Sequence, residues 1–222
     1  MRLPRLRSGL GPWGRLPFVR FVVLLFVAGV AAAGVRVLFV QSFVVPSPSM
    51  QPLLAVGDRV LVSRFDYRVG DVRRGDVIVF DGRGVFDVPA RPARSQLAAV
   101  GRVVAGALGA PIGEYDYVGR VVGLPGERVV CCDVQGRVSV DGRPLDEPYL
   151  RQSSRAGGNP FDVRVPPGRL FVMGDERDDS GGSQAHLSDL GSGTVPLNHV
   201  VGRVVSIWWP WGRATVIGRM DA

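Results

Sequence analysis

Hydrophobic positions follow two regimes along the chain. Phe21 to Val35 is an uncharged, strongly apolar run bracketed by Arg20 and Arg36. It is short for a bilayer span, which takes about 20 residues. Leu16 to Val19 and Val37 to Val40 extend it, and arginines near its ends can reach the headgroups. The pattern predicts a helix over 17–40. From Asp58 onward apolar and polar residues alternate with the period of a half-buried strand, in Asp58–Ser63 and again in Asp76–Phe80. Tyr117–Leu124 and Arg128–Asp133 are valine-rich runs. Arg137–Val140 leads into Asp141-Gly142, a tight-hairpin signal, and Arg169–Met173 and Val200–Trp208 complete the set. Gly57-Asp58, Gly75-Asp76, Pro125-Gly126, Pro167-Gly168 and Gly174-Asp175 punctuate these runs as turns. One stretch, 95–110, places Leu97, Val100, Val104 and Leu108 near helical spacing and predicts a short helix on an insertion between strands.

Short strands between regular turns predict a mainly β protein: an N-terminal membrane helix followed by an antiparallel, curled, barrel-like sheet. Composition agrees. The 222 residues include 30 Gly and 17 Pro, a turn-rich content that no coiled coil or collagen shares.

Charge sharpens the topology. The net charge is +7, all 27 basic residues are Arg, and there is no Lys. Arg2, Arg5, Arg7, Arg15, Arg20 and Arg36 precede the first acid, Asp58, and beyond it Arg and acids nearly balance. The basic excess therefore belongs to the N-terminus and not to a folded face, which argues against nucleic-acid binding. By the positive-inside rule an Arg-rich tail, 1–16, stays cytoplasmic and residues 41–222 are exported. Ala31-Ala32-Ala33 also fits the cleavage site of a secretory signal. Cys131 and Cys132 are sequence neighbours. They are read as two unbridged apolar strand residues, since such pairs rarely bridge and supply too few ligands for zinc. No metal or cofactor is expected.

Val45-Pro-Ser-Pro-Ser-Met-Gln-Pro52 follows the anchor. It is too Pro-rich for helix or central strand, and taken alone reads as a linker. Further along, Ser47-x-Ser49-Met50-x-Pro52 is followed in order by Arg74–Phe80, by Tyr117-Val-Gly-Arg-Val-Val-Gly-Leu-Pro-Gly-Glu127, and by Met173-Gly-Asp-Glu-Arg-Asp-Asp-Ser180. In this order and behind an apolar anchor, over roughly 16–212, these blocks resemble the bacterial type I signal peptidases.

The resemblance implies a membrane-anchored serine endopeptidase. It would remove signal peptides from exported preproteins after small residues, as a monomer with a small β-ribbon insertion over 127–170. It makes Ser49 the nucleophile and gives Ser47 a hydroxyl in the oxyanion hole, where preplaced donors stabilise developing charge by several kcal/mol. Met50, Asp76, Arg120, Gly174, Asp175, Arg177 and Ser180 fall on supporting motif positions. Signal peptides and membrane lipid are the implied partners. An uncleaved anchor, keeping catalysis at the membrane, is favoured over a cleaved signal.

The pattern also fails at named positions. The family's general base is a lysine whose neutral amine accepts the serine proton; here the matching residue is Gly119, beside Arg120. Ser180 matches the serine that orients that amine. The family's later Asp and Arg are Gly182 and Gln184 here, a paired loss that leaves no orphaned charge. His186 is a possible surrogate base, as is His199, and Asp175, Asp178 and Asp179 are weaker bases. Two readings follow: a working signal peptidase, or an impaired paralogue that binds signal peptides or regulates.

Overall fold

The computed structural model describes residues 18–29, 40–65, 67, 72–86, 116–150, 160–177, 182–189 and 191–219. Residues 18–29 are helical and expose Phe18, Leu24 and Phe26. Among the described residues no helix is long and apolar enough to cross a membrane, and the rest of the expected anchor lies outside them except for its last residue. That residue, Val40, opens strand β1. The helix expected over 95–110 also lies outside the described residues.

The described fold is mainly β. Its larger sheet runs β1(Val40–Val44), β2(Arg59–Ser63), β11(Val200–Trp209), β3(Val77–Asp81), β4(Asp116–Gly123), β9(Arg169–Met173), β10(Val195–Pro196), with β12(Thr215–Val216) paired to β11. Every pairing is antiparallel. Register shifts in β11 and between Val121 and Gly123 of β4 mark irregularities that sharpen local twist and curl the sheet. The smaller sheet runs β7(Arg143–Pro144), β6(Ser139–Val140), β5(Arg128–Cys131), β8(Phe161–Arg164). Its β6–β7 turn holds Asp141 and Gly142 at φ of 49° and 78°, the left-handed pair that the Asp-Gly signal anticipates.

β3 is central, which explains its near-continuous apolar run. Val77 and Val79 face a core with Met50, Leu54, Val60, Val62, Val204 and Ile207. Ile78 and Phe80 face the opposite core with Phe86, Val121, Leu170, Val172 and Val195. The smaller sheet encloses a third core around Val129, Val140, Phe161 and Phe171. Burying a side chain of this size stabilises by about 1.5–3 kcal/mol.

One expectation is corrected here. Cys131 and Cys132 form a disulfide. β5 ends at Cys131, so Cys132 escapes the strand's alternation, and both residues pack on the same small-sheet core.

Candidate active site

Pro46 and Pro48 stop the ladder after β1, because proline cannot donate to it. A turn follows, closed by Gln51 N–H to the Pro48 carbonyl and Leu54 N–H to the Met50 carbonyl, both 2.9 Å. Met50 and Leu54 are fully buried and pin the loop to the core. Ser47 and Ser49 stay at the surface with their hydroxyl oxygens 3.0 Å apart. The Ser49 carbonyl accepts the Glu176 N–H at 3.0 Å, which fastens this loop to the Met173–Arg177 segment.

Asp175 and Arg177 of that segment are buried charges, and Arg120 of β4 meets Asp175 there. Arg120, with 1% of its surface exposed, donates from Nε and Nη2 to Asp175 at 2.7 and 2.6 Å, and from Nη1 to the Gly75 carbonyl at 2.9 Å. Burial pushes the Asp175 carboxyl up, and the hydrogen bonds and charge of Arg120 work against that rise. The ring of Tyr149 lies 3.9 Å under the Arg120 guanidinium. Its hydroxyl donates to Glu147 at 2.7 Å, and Glu147 in turn pairs with buried Arg177. Arg177 donates from Nε to the Gly174 carbonyl at 3.1 Å. Glu147 and Tyr149 thus complete a ring of partners around Asp175 and Arg177. They escape sequence reading because they follow the small-sheet hairpin, far in sequence from both blocks.

Gly119 and Gly182 approach β9 closely. A Cβ at Gly119 would lie 2.5 Å from Val172 Cγ1, so Val172 fills the space a side chain there would take. A Cβ at Gly182 would lie 2.8 Å from the Val172 carbonyl oxygen and 3.1 Å from Met173 Cα. Ser183 Oγ accepts the Val172 N–H at 2.9 Å. Gly119 and Gly182 are therefore both places where another segment presses against Val172 and Met173.

Asp76 is buried at the turn before β3. It accepts from Tyr67 Oη at 3.2 Å and Arg73 N–H at 3.0 Å and lies 3.3 Å from Arg219, bracing the turn before β3. Asp178, Asp179 and Ser180 lie outside the described residues. His199 Nδ1 is 3.0 Å from the Asp81 carbonyl. His186 Nδ1 is 2.7 Å from Asp189 Oδ2, and its ring stacks on Phe86 at 4.1 Å. Asp189, three residues after His186, was the missed half of that pair; the His-x-x-Asp spacing is its one signal.

The family model described as "Signal peptidase, peptidase S26" matches residues 18–209. The chain is 37% identical over 227 residues to the signal peptidase I of Mycobacterium tuberculosis, covering 90% of this chain and 76% of that one. It is 33% identical to a probable signal peptidase I of Mycobacterium leprae, covering 99% and 83%. A solved signal peptidase I of Enterococcus faecalis V583 is similar at a TM-score of 0.39 and 22% identity, over 60% of this chain and 96% of that one.

Proposed function

The chain belongs to the signal peptidase S26 family, and from that membership we propose that it cleaves signal peptides from exported preproteins at the membrane surface. It is a serine peptidase, a hydrolase of the signal peptidase I kind. The observation that carries the site assignment is the Ser47–Ser49 hydroxyl pair, 3.0 Å apart, with the Ser49 backbone tied to Glu176. In this reading Ser49 Oγ attacks the scissile carbonyl. The Ser49 N–H and the Ser47 hydroxyl donate to the oxygen that becomes negative, where two preplaced donors act without reorganisation.

The buried Arg120–Asp175 pair and the Arg177–Glu147 pair act behind the site, fixing the segment that Ser49 leans on. Position 119 is read as the place where relatives carry the base, and here it holds none. Val172 occupies the neighbouring space, so the base comes from another element. We read residues 17–40 as an uncleaved anchor with the N-terminus cytoplasmic and the β domain exported. The exposed apolar side chains of residues 18–29 and the Arg2–Arg20 cluster support it.

The test is cleavage of a preprotein with small residues before the scissile bond, by the full chain in detergent. Wild type is expected to release the signal peptide, and Ser49→Ala only at the residual rate left when a serine nucleophile is removed. A wild-type chain that binds the signal peptide without cutting it would overturn the peptidase reading in favour of a binding module.

A further inference from the structure

A serine hydroxyl is a poor nucleophile until a neighbouring base takes its proton. The chain contains no lysine, and its arginines stay protonated. The side chains left with a nitrogen that can accept a proton are two histidines. His199 turns Nδ1 to a backbone carbonyl at the end of β3. His186 turns Nδ1 to the Asp189 carboxylate at 2.7 Å. A carboxylate in that position holds the ring with Nδ1–H donating, leaves Nε2 as the proton acceptor, and stabilises the imidazolium that forms. The Phe86 ring, 8° from coplanar, fixes the plane of the imidazole.

The nucleophile and the short helix that carries this histidine are tied to adjacent residues, Glu176 and Arg177. The Ser49 carbonyl accepts from the Glu176 N–H. Gln184, two residues before His186 in the short 3-10 helix Ser183–His186, donates its side-chain amide to the Arg177 carbonyl at 2.8 Å. Ser183 bonds the edge of β9 at Val172. Phe86, under the imidazole, packs 5.2 Å from Tyr117, which lies two positions before Gly119 on the same side of β4. Through Phe86 and Tyr117 the histidine therefore packs toward the side of β4 on which Gly119 lies.

We propose, resting on the serine peptidase reading above, that His186 oriented by Asp189 is the general base for Ser49. As Ser49 Oγ bonds to the scissile carbonyl carbon, its proton passes to His186 Nε2 and the carbonyl π pair moves to oxygen. The oxygen pair returns as the C–N bond breaks, and the proton on Nε2 goes to the leaving amine. A water then gives its proton to Nε2 as it attacks the ester. That proton passes to Ser49 Oγ when the acid product leaves.

The experiment uses the full chain in detergent with a preprotein. His186→Ala is expected to lose about 10²–10⁴-fold in kcat with little change in KM, the usual contribution of a positioned base. Added imidazole is expected to restore part of that rate in His186→Ala and none in Ser49→Ala. Asp189→Asn is expected to lower kcat with KM unchanged, and His199→Ala to cleave as wild type does. Should His186→Ala melt early, His186→Gln, which keeps a planar polar group against Phe86, is assayed in its place. Wild-type rates in either variant, or a folded His186→Ala that imidazole leaves inert, would overturn the assignment while leaving the peptidase reading standing. A wild type that never cleaves would remove both.

Discussion

The Arg120 guanidinium holds the Asp175 carboxylate through two parallel bonds, with neither side chain more than 1% exposed. Removing one partner of such a pair leaves an unpaired buried charge and costs about 3–5 kcal/mol, whereas replacing both with apolar residues can be neutral. Arg120→Met or Asp175→Leu should therefore unfold at lower denaturant, and the double substitution should recover most of the loss. In Arg120→Met the Asp175 carboxyl, already pushed up by burial, loses its opposing charge and rises further. Urea titrations of the three variants check the first expectation, and carboxyl titration by NMR checks the second.

Ser47→Ala removes one of the two donors proposed for the developing oxyanion. Loss of a single such donor lowers kcat by about 10²–10³-fold. Met50 and Leu54 hold the loop whether or not the hydroxyl is present, so thermal stability should stay at the wild-type level. Steady-state kinetics beside a melting curve separate the two effects.

Gly119→Lys forces its Cβ against Val172 Cγ1. Overpacking of this kind costs about 1–3 kcal/mol. Val172→Ala opens the space, so Gly119→Lys with Val172→Ala should be more stable than the sum of the single losses predicts. A double-mutant cycle on unfolding free energies is expected to return coupling of about 0.5–3 kcal/mol, the range for residues in contact.

Burial and nearby carboxylates push the hydroxyls of Tyr67, beside Asp76, and Tyr149, beside Glu147, well above their ordinary range. The folded chain therefore keeps both protons where the unfolded chain releases them. Stability should be at its full value below the ordinary tyrosine range, near 10, and should fall as pH rises above it. Tyr67→Phe and Tyr149→Phe should each flatten that fall. Tyr149→Phe should also cost about 1 kcal/mol at neutral pH for its hydrogen bond to Glu147. Unfolding followed across alkaline pH tests the sign.

The strands were legible where one face is core and the other is not. Arg59–Ser63 alternates in burial as its residues do, and the Asp141-Gly142 turn formed where the dipeptide demanded it. The short strands Phe161–Arg164 and Val195–Pro196 carried too few residues for a period to register and exist through their partners β5 and β9. The disulfide between Cys131 and Cys132 was missed because alternation separates neighbours only while the strand lasts.

The order of blocks along the chain, from the arginine-rich start through Ser47 and Ser49 to Met173–Ser180, was determined by sequence alone, since motif spacing and hydrophobic period are local properties. Which residues stand behind the serines was decided only by tertiary structure. Glu147 and Tyr149 reach Arg177 and Arg120 from the loop that follows β7 of the smaller sheet, and Asp189 meets His186 through a turn. Val172 fills the space beside Gly119 because β4 and β9 lie next to each other in the sheet. Buried charge pairs and side-chain packing are set by distances through space, and of these contacts the local His186–Asp189 pair alone has a spacing that hints at it.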